Sequence, residues 1–294
     1  MDRWLITGAS GLLGAHVLRA LRRARPDAHI HTWTGRAAAP IAPGVLAAVV
    51  DLITPDSIVA SVRTIRPNYV IHTAAMTAVS DAFARPDHAM RVNRDATAVL
   101  AEVTDACGGR LLYTSTDMVF DGDAAPYSES SSPRPVSQYG RSKLAGEQAA
   151  LSIRDSLVVR IPLLYGLPVS PRASTFAAQI AALQRGEALR LFVDEFRTPI
   201  WVEDAARALV ALALADVTGL IHTAGPERLS RFELIQQAAH ALRVDAPRLE
   251  AVSRLSIIAA EPRPADLSLD GRRFVRGFPE CAPRPLSAAV FEIT

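Results

Sequence analysis

Trp4-Leu5-Ile6-Thr7-Gly8-Ala9-Ser10-Gly11-Leu12-Leu13-Gly14 joins a short apolar run to a helical pattern through three glycines spaced GxxGxxG. Glycines in such a turn let the backbone bend tightly and approach a ligand closely. The helix that opens there offers unpaired N–H groups and a positive dipole end, a setting that favours a pyrophosphate. A glycine turn alone is a common structural feature, and this spacing departs from the GxGxxG of the general dinucleotide fingerprint. Its context gives it weight: a strand before it, a helix after it, and the same alternation continuing downstream.

Short apolar β-type runs at 4–7, 30–33, 46–50, 69–73, 110–114, 157–160 and 220–223 alternate with helical patterns at 12–25, 55–66, 87–107 and 139–152. Such repetition marks successive βαβ units and a parallel sheet. Because the strands are apolar on both sides of their period-two pattern, helices are expected on both faces, in a doubly wound α/β (Rossmann) fold. Pro55 falls just inside its helix start, where a missing N–H costs nothing. Beyond Tyr165 the pattern changes, with Pro168, Pro171, a helix at 175–185 and a strand at 189–193. A helix at 202–215 returns to the sheet pattern, and the segments from Ser230 and the Pro-rich tail from Glu261 leave it again. The expected division is a dinucleotide-binding domain of 1–166 plus about 195–225, and a smaller, sequence-discontinuous substrate-binding lobe of 167–194 plus about 226–294.

The chain has 294 residues, 49% apolar and 21% charged, enough to bury a sizeable core. Its net charge of +2 comes from scattered arginines, with adjacent pairs only at Arg22-Arg23 and Arg272-Arg273, so no nucleic-acid footprint is expected. The apolar run at the N-terminus is too short for a signal peptide and no later segment approaches a membrane span, which predicts a cytoplasmic protein without membrane contact. Cys107, Cys281 and the seven dispersed histidines form no ligand spacing, so no metal site is expected.

The end of the second strand bears on which dinucleotide binds. A carboxylate there usually holds the 2′-hydroxyl of NAD, but Thr32-Trp33-Thr34-Gly35-Arg36 contains none. Thr34 and Arg36 are instead suited to a 2′-phosphate, so NADPH is the expected cofactor, with NADH the alternative and a merely solvated Arg36 the plain reading. Asp51 and Leu52 follow the third strand, where Asp51 is in reach of an adenine amino group or simply caps the next turn.

Of 32 cationic residues, 31 are arginine, and the single lysine, Lys143, lies four residues after Tyr139. A compact ammonium with three rotatable donors does what a planar guanidinium cannot. One helical turn apart, the two side chains share a face. The fifth strand ends in Thr114-Ser115-Thr116-Asp117-Met118-Val119-Phe120-Asp121-Gly122, so hydroxyl, phenol and ammonium are expected to converge, with the ammonium lowering the phenol pKa for proton transfer to a carbonyl oxygen.

These residues in this order resemble the extended short-chain dehydrogenase/reductase superfamily and, within it, the dTDP-4-dehydrorhamnose reductase group. The resemblance covers nearly the whole chain. It rests on 115–122, on Tyr139-Gly140-Arg141-Ser142-Lys143-Leu144-Ala145-Gly146-Glu147, on Thr73-Ala74-Ala75-Met76-Thr77-Ala78-Val79, on Val92-Asn93, on Arg160 before Leu164-Tyr165-Gly166, and on 263–270. It implies that Thr116 polarises a substrate carbonyl, Tyr139 donates the proton, and Lys143 anchors the nicotinamide ribose and tunes Tyr139. It further implies that Gly8, Ser10, Gly11, Leu12, Leu13, Gly14, Thr73, Ala74, Ala75 and Thr77 line the cofactor groove, and that Asp117 and Met118 meet a nucleotide-linked sugar. Met118 stands where the group usually has a tyrosine, and Leu163 stands near a common aromatic, so the sugar pocket is expected to differ. Arg197 occupies a position that is commonly glycine and is expected either to contact a nucleotide diphosphate or to pair on the surface with Asp194 or Glu195. The implied activity is NADPH-dependent reduction of a dTDP-linked 4-keto-6-deoxysugar. The alternatives are reduction of another carbonyl compound, or a non-catalytic regulatory subunit resembling that of methionine adenosyltransferase. A homodimer is compatible with this reading, and no sequence feature requires it.

Overall fold

A computed structural model describes residues 1–35, 44–170 and 174–291. Strand β1 (Arg3–Thr7) leads through the glycine turn into α1 (Leu12–Ala24), followed by β2 (His29–Thr34), β3 (Val45–Val49), α2 (Pro55–Ile65) and β4 (Tyr69–His72). The chain continues through α3 (Val79–Ala84), α4 (Pro86–Met90), a π-helical turn at Arg91–Asp95, α5 (Ala96–Ala106), β5 (Arg110–Thr116), α6 (Gln138–Ala150) and β6 (Ser156–Ile161). Then come β7 (Leu164–Tyr165), α7 (Thr175–Gln184), β8 (Leu189–Phe192), β9 (Phe196–Arg197), β10 (Ile200–Trp201), α8 (Val202–Leu214), β11 (Gly219–His222), β12 (Leu229–Ser230), α9 (Arg231–Ala241) and β13 (Leu249–Val252).

Seven strands pair in parallel in the order β11-β6-β5-β4-β1-β2-β3. This is the expected doubly wound α/β sheet. Successive strand side chains alternate between faces. Trp4 and Ile6 pack with Val17 and Leu21 of α1 and Leu209 and Leu212 of α8, while Leu5 packs on the other face with Ile58, Val62, Leu100 and Tyr113. Each aliphatic side chain buried this way contributes about 1.5–3 kcal/mol. Chain order reverses between β1 and β4, and a crevice opens at the carboxyl ends of the strands at such a switch point.

Two expectations need correction. Strand β3 is an edge strand with Leu46 and Val49 exposed, so its apolar composition does not reflect cover on both faces. The helix expected over 87–107 is three pieces, because the π-helical turn Arg91–Asp95 interrupts it. One residue of slack in a helical ladder leaves hydrophobic periodicity almost unchanged, so the interruption is invisible in the pattern.

Outside the main sheet, β7 pairs with β10, β9 with β12, and β8 with β13. Tyr165, Phe176 and Trp201 meet edge to face at 5.3–6.3 Å between ring centroids and pack with Leu234 and Ile235 of α9. This second core is built from separate stretches of sequence.

Candidate active site

A cleft of about 1120 Å³ runs from the glycine turn, past the ends of β4 and β5, to α6, β9 and α9. At one end, the Gly8 carbonyl accepts from Gly11 N at 2.8 Å and closes the turn. Gly8 has φ +71°, and a Cβ there would lie 2.7 Å from Ala74 N; a Cβ on Gly14 would lie 2.3 Å from the Gly8 carbonyl oxygen. Both positions therefore need glycine to bring α1 against the turn and the turn against the segment after β4. Helix α1 has no side-chain cap and no acidic residue in its first turn, so its leading N–H groups face the cleft free for an anion.

The segment after β4 is held by a string of buried hydrogen bonds. Ala74 N donates to Thr7 Oγ1 at 3.2 Å, and Thr7 Oγ1 meets His72 Nδ1 at 2.6 Å. His72 Nε2 meets Thr97 Oγ1 at 3.2 Å, and Thr97 donates to the Asn93 carbonyl at 2.8 Å. Burial, with Lys143 nearby, pushes the His72 pKa down to about 3, so the ring is neutral and can accept at one nitrogen while donating at the other. Asn93, in the π-helical turn, accepts from Met76 N at 2.9 Å and donates to the Met76 carbonyl at 3.1 Å and to Ser142 Oγ at 2.9 Å. One amide thus ties the groove segment to α6.

At the centre, Ser137 caps α6 by accepting from Gly140 N at 3.1 Å, and Tyr139 and Lys143 project from its first turns into the cleft. Gly140 lets α6 sit on the end of β5, since a Cβ there would lie 2.2 Å from the Met118 carbonyl oxygen. Lys143 Nζ donates to the Thr114 carbonyl at 2.7 Å and stands 4.0 Å above the Tyr113 ring. Burial pulls its pKa down to about 7, opposed by Glu147. Burial pushes the Tyr139 phenol up to about 12; a hydrogen bond with Thr116 opposes this and the charge of Asp117 adds to it. In the protein alone, burial is the largest influence on the phenol, and the Lys143 ammonium is directed at the Thr114 carbonyl. Burial thus keeps the phenol in its protonated form, which has a proton to give but holds it more tightly than a free phenol does.

Ser115 and Thr116 separate cleanly. Ser115 Oγ donates to Glu147 at 2.5 Å, and Glu147 is chelated by Arg160 at 2.8 and 2.7 Å in a buried pair beneath the site. Thr116 Oγ1 donates to Asp117 Oδ1 at 3.1 Å and accepts from Met118 N at 3.2 Å. Arg197 is buried, with Nε 3.3 Å from Asp117 Oδ2 and Nη1 donating to the Phe196 carbonyl at 2.7 Å. Its carboxylate partner is thus neither Asp194, which receives Ser253 and Arg254, nor Glu195, which faces Arg263 at 2.5 Å and Arg231 at 3.7 Å.

The cleft is bordered by Gly8, Ser10, Gly11, Leu12, Leu13, Gly14, Thr34, Asp51, Leu52, Thr73, Ala74, Ala75, Thr77, Thr116, Asp117, Met118, Tyr139, Lys143 and Arg197. Arg36 lies outside the described residues. Asp51 Oδ1 also accepts from Ile53 N at 3.1 Å, so the carboxylate both caps its turn and borders the cleft. Arg231, Arg85 and His88 border it too and escaped the sequence reading. Arg231 begins α9 beside the Ser230–Glu233 capping box, and burial together with repulsion from Arg197 lowers its pKa to about 10. The cap signals a helix start, but only tertiary packing brings that start to the cleft. Among the described residues no group of histidine, cysteine or acidic side chains is arranged to hold a metal, and no helix is long and apolar enough to cross a membrane.

The family model of the RmlD substrate binding domain matches residues 2–290. The chain belongs to this family. It is 32% identical over 271 residues to dTDP-4-keto-6-deoxy-D-glucose reductase from Streptomyces niveus, covering 90% of this chain and 86% of that one. It is 30% identical over 275 residues to methionine adenosyltransferase 2 subunit beta from Rattus norvegicus, covering 91% and 80%. Among solved structures, dTDP-4-dehydrorhamnose reductase from Bacillus anthracis in complex with NADP superposes with a TM-score of 0.85 at 24% identity, covering 100% of this chain and 99% of that one. About nine-tenths of this RmlD family chain aligns both with a dTDP-sugar reductase and with a transferase subunit.

Proposed function

We propose that the protein is an NADPH-dependent reductase of a nucleotide-linked 4-keto-6-deoxysugar, dTDP being the nucleotide. One observation carries the reading: a single cleft joins the uncapped N-terminus of α1 to Thr116, Tyr139 and Lys143. The donor set fits a dinucleotide, with a glycine turn and free helix N–H groups for its diphosphate and the Thr73–Thr77 segment alongside. Bound NADPH would supply hydride to the keto carbon. Tyr139 donates its proton to the keto oxygen, Thr116 orients the phenol, and Lys143 holds a ribose hydroxyl from its place on the Thr114 carbonyl. Arg197 and Arg231 border the end of the cleft where the sugar diphosphate lies, while Met118 and Leu163 leave the sugar without aromatic walls. In this reading, 1–166 with about 195–225 binds the cofactor, and 167–194 with about 226–294 binds the sugar.

The test is oxidation of NADPH in the presence of dTDP-4-keto-6-deoxysugars, followed by absorbance. Tyr139→Phe is expected to lower kcat by about 10²–10⁴-fold, the range for loss of a positioned acid. Turnover only with simple ketones would assign a different carbonyl substrate. Cofactor binding without turnover, together with co-purification of a transferase, would favour the regulatory-subunit reading suggested by the methionine adenosyltransferase relative.

A further inference from the structure

We infer that Arg197 is a positioning residue: it holds the Asp117 carboxylate ionised and, through it, fixes the direction of the Thr116 hydroxyl against the Tyr139 phenol. The inference rests on the assignment of Thr116 and Tyr139 as the reacting pair, and extends it to a residue that touches neither. Asp117 is 4% exposed and Arg197 is 4% exposed, so each charge is almost wholly withdrawn from water. A carboxylate so placed persists only beside a countercharge. Asp117 Oδ2 is buried without a hydrogen-bond partner, and the Arg197 guanidinium at 3.3 Å faces it. The other groups acting on Asp117 are Thr116 from β5, Arg231 from α9 and, through charge, Tyr139 from α6. Burial raises the Asp117 pKa and Arg197 is the largest opposing influence.

The Thr116 hydroxyl has a single proton. Drawn to an ionised Asp117, that proton leaves the oxygen free to accept from the phenol, and the negative charge keeps the phenol protonated. If Asp117 takes up a proton, it no longer commands the Thr116 hydroxyl, and both constraints on Tyr139 lapse. A glycine at 197 would leave that task to water or to Arg231.

R197Q, R197K and the double variant R197Q/D117N test this. Without the guanidinium, the folded-state pKa of Asp117 rises further above its unfolded value. Its contribution to stability is then present at low pH and lost as pH climbs through the raised folded pKa. The Tm of R197Q is therefore expected to fall relative to R197Q/D117N as pH rises above the ordinary carboxylate range, with R197K following the wild type. Should R197Q fail to fold at about pH 8, D117N in the same chain is expected to restore folding. Parallel pH dependence of the single and double variants, or no rescue, would overturn the inference whether or not the chain reduces any sugar. In the reductase assay, the acid limb of the kcat profile is expected to move to higher pH in R197Q and to stay in place in R197K. A proportional loss of kcat at every pH would equally overturn it.

Discussion

Lys143 is a lysine in a chain that otherwise uses arginine, and its surroundings explain the exception. Its ammonium fits between the Thr114 carbonyl at 2.7 Å and the Tyr113 ring face at 4.0 Å, a compact point charge where a guanidinium would present a wider planar fork. Lys143→Arg keeps the charge, yet kcat is expected to fall at least about tenfold in the folded variant. Near-normal turnover would make the lone lysine an accident of composition. Tyr139 and Lys143 were legible as a pair from their spacing on one helix face. Their protonation was not, because desolvation depends on what packs around α6 and dominates both pKa values.

At the scale of elements, the glycine turn and the π-helical turn differ in how visibly they are encoded. Gly8 and Gly14 announce themselves because the close approach each makes tolerates no Cβ. The π-helical turn Arg91–Asp95 has no such mark, although it places Asn93 where one amide bonds Met76 twice and Ser142 once. Asn93→Ala would remove the partner of the half-buried Met76 N and O, each costing up to about 1–3 kcal/mol. Denaturant unfolding is expected to show a loss of about 3 kcal/mol. A change below about 0.5 kcal/mol would mean that water replaces the amide without cost. Arg160 and Glu147 likewise stood out as motif positions, but their buried bidentate pair with Ser115 is a product of β6 lying next to β5.

For the whole molecule, the cleft exists because chain order reverses between β1 and β4 and because α9 and β9 close its far end. A ligand that binds only the folded chain stabilises it by mass action, by about 2.7 kcal/mol at a concentration of about 100 times Kd. NADPH is expected to raise the Tm more than NADH at equal concentration, since no carboxylate follows β2; a larger shift with NADH would reverse the cofactor choice. The doubly wound sheet, the glycine turn and the Tyr139–Lys143 pair were readable from residues alone, while Thr116 was singled out by the family resemblance. Strand periodicity, glycine spacing and a helical i, i+4 pair are local, and local patterns survive in a one-dimensional string. Which charges are stripped of water, which carboxylate Arg197 faces, and that Arg231 reaches the same cleft depend on segments far apart in sequence, and were decided only when packing brought them together.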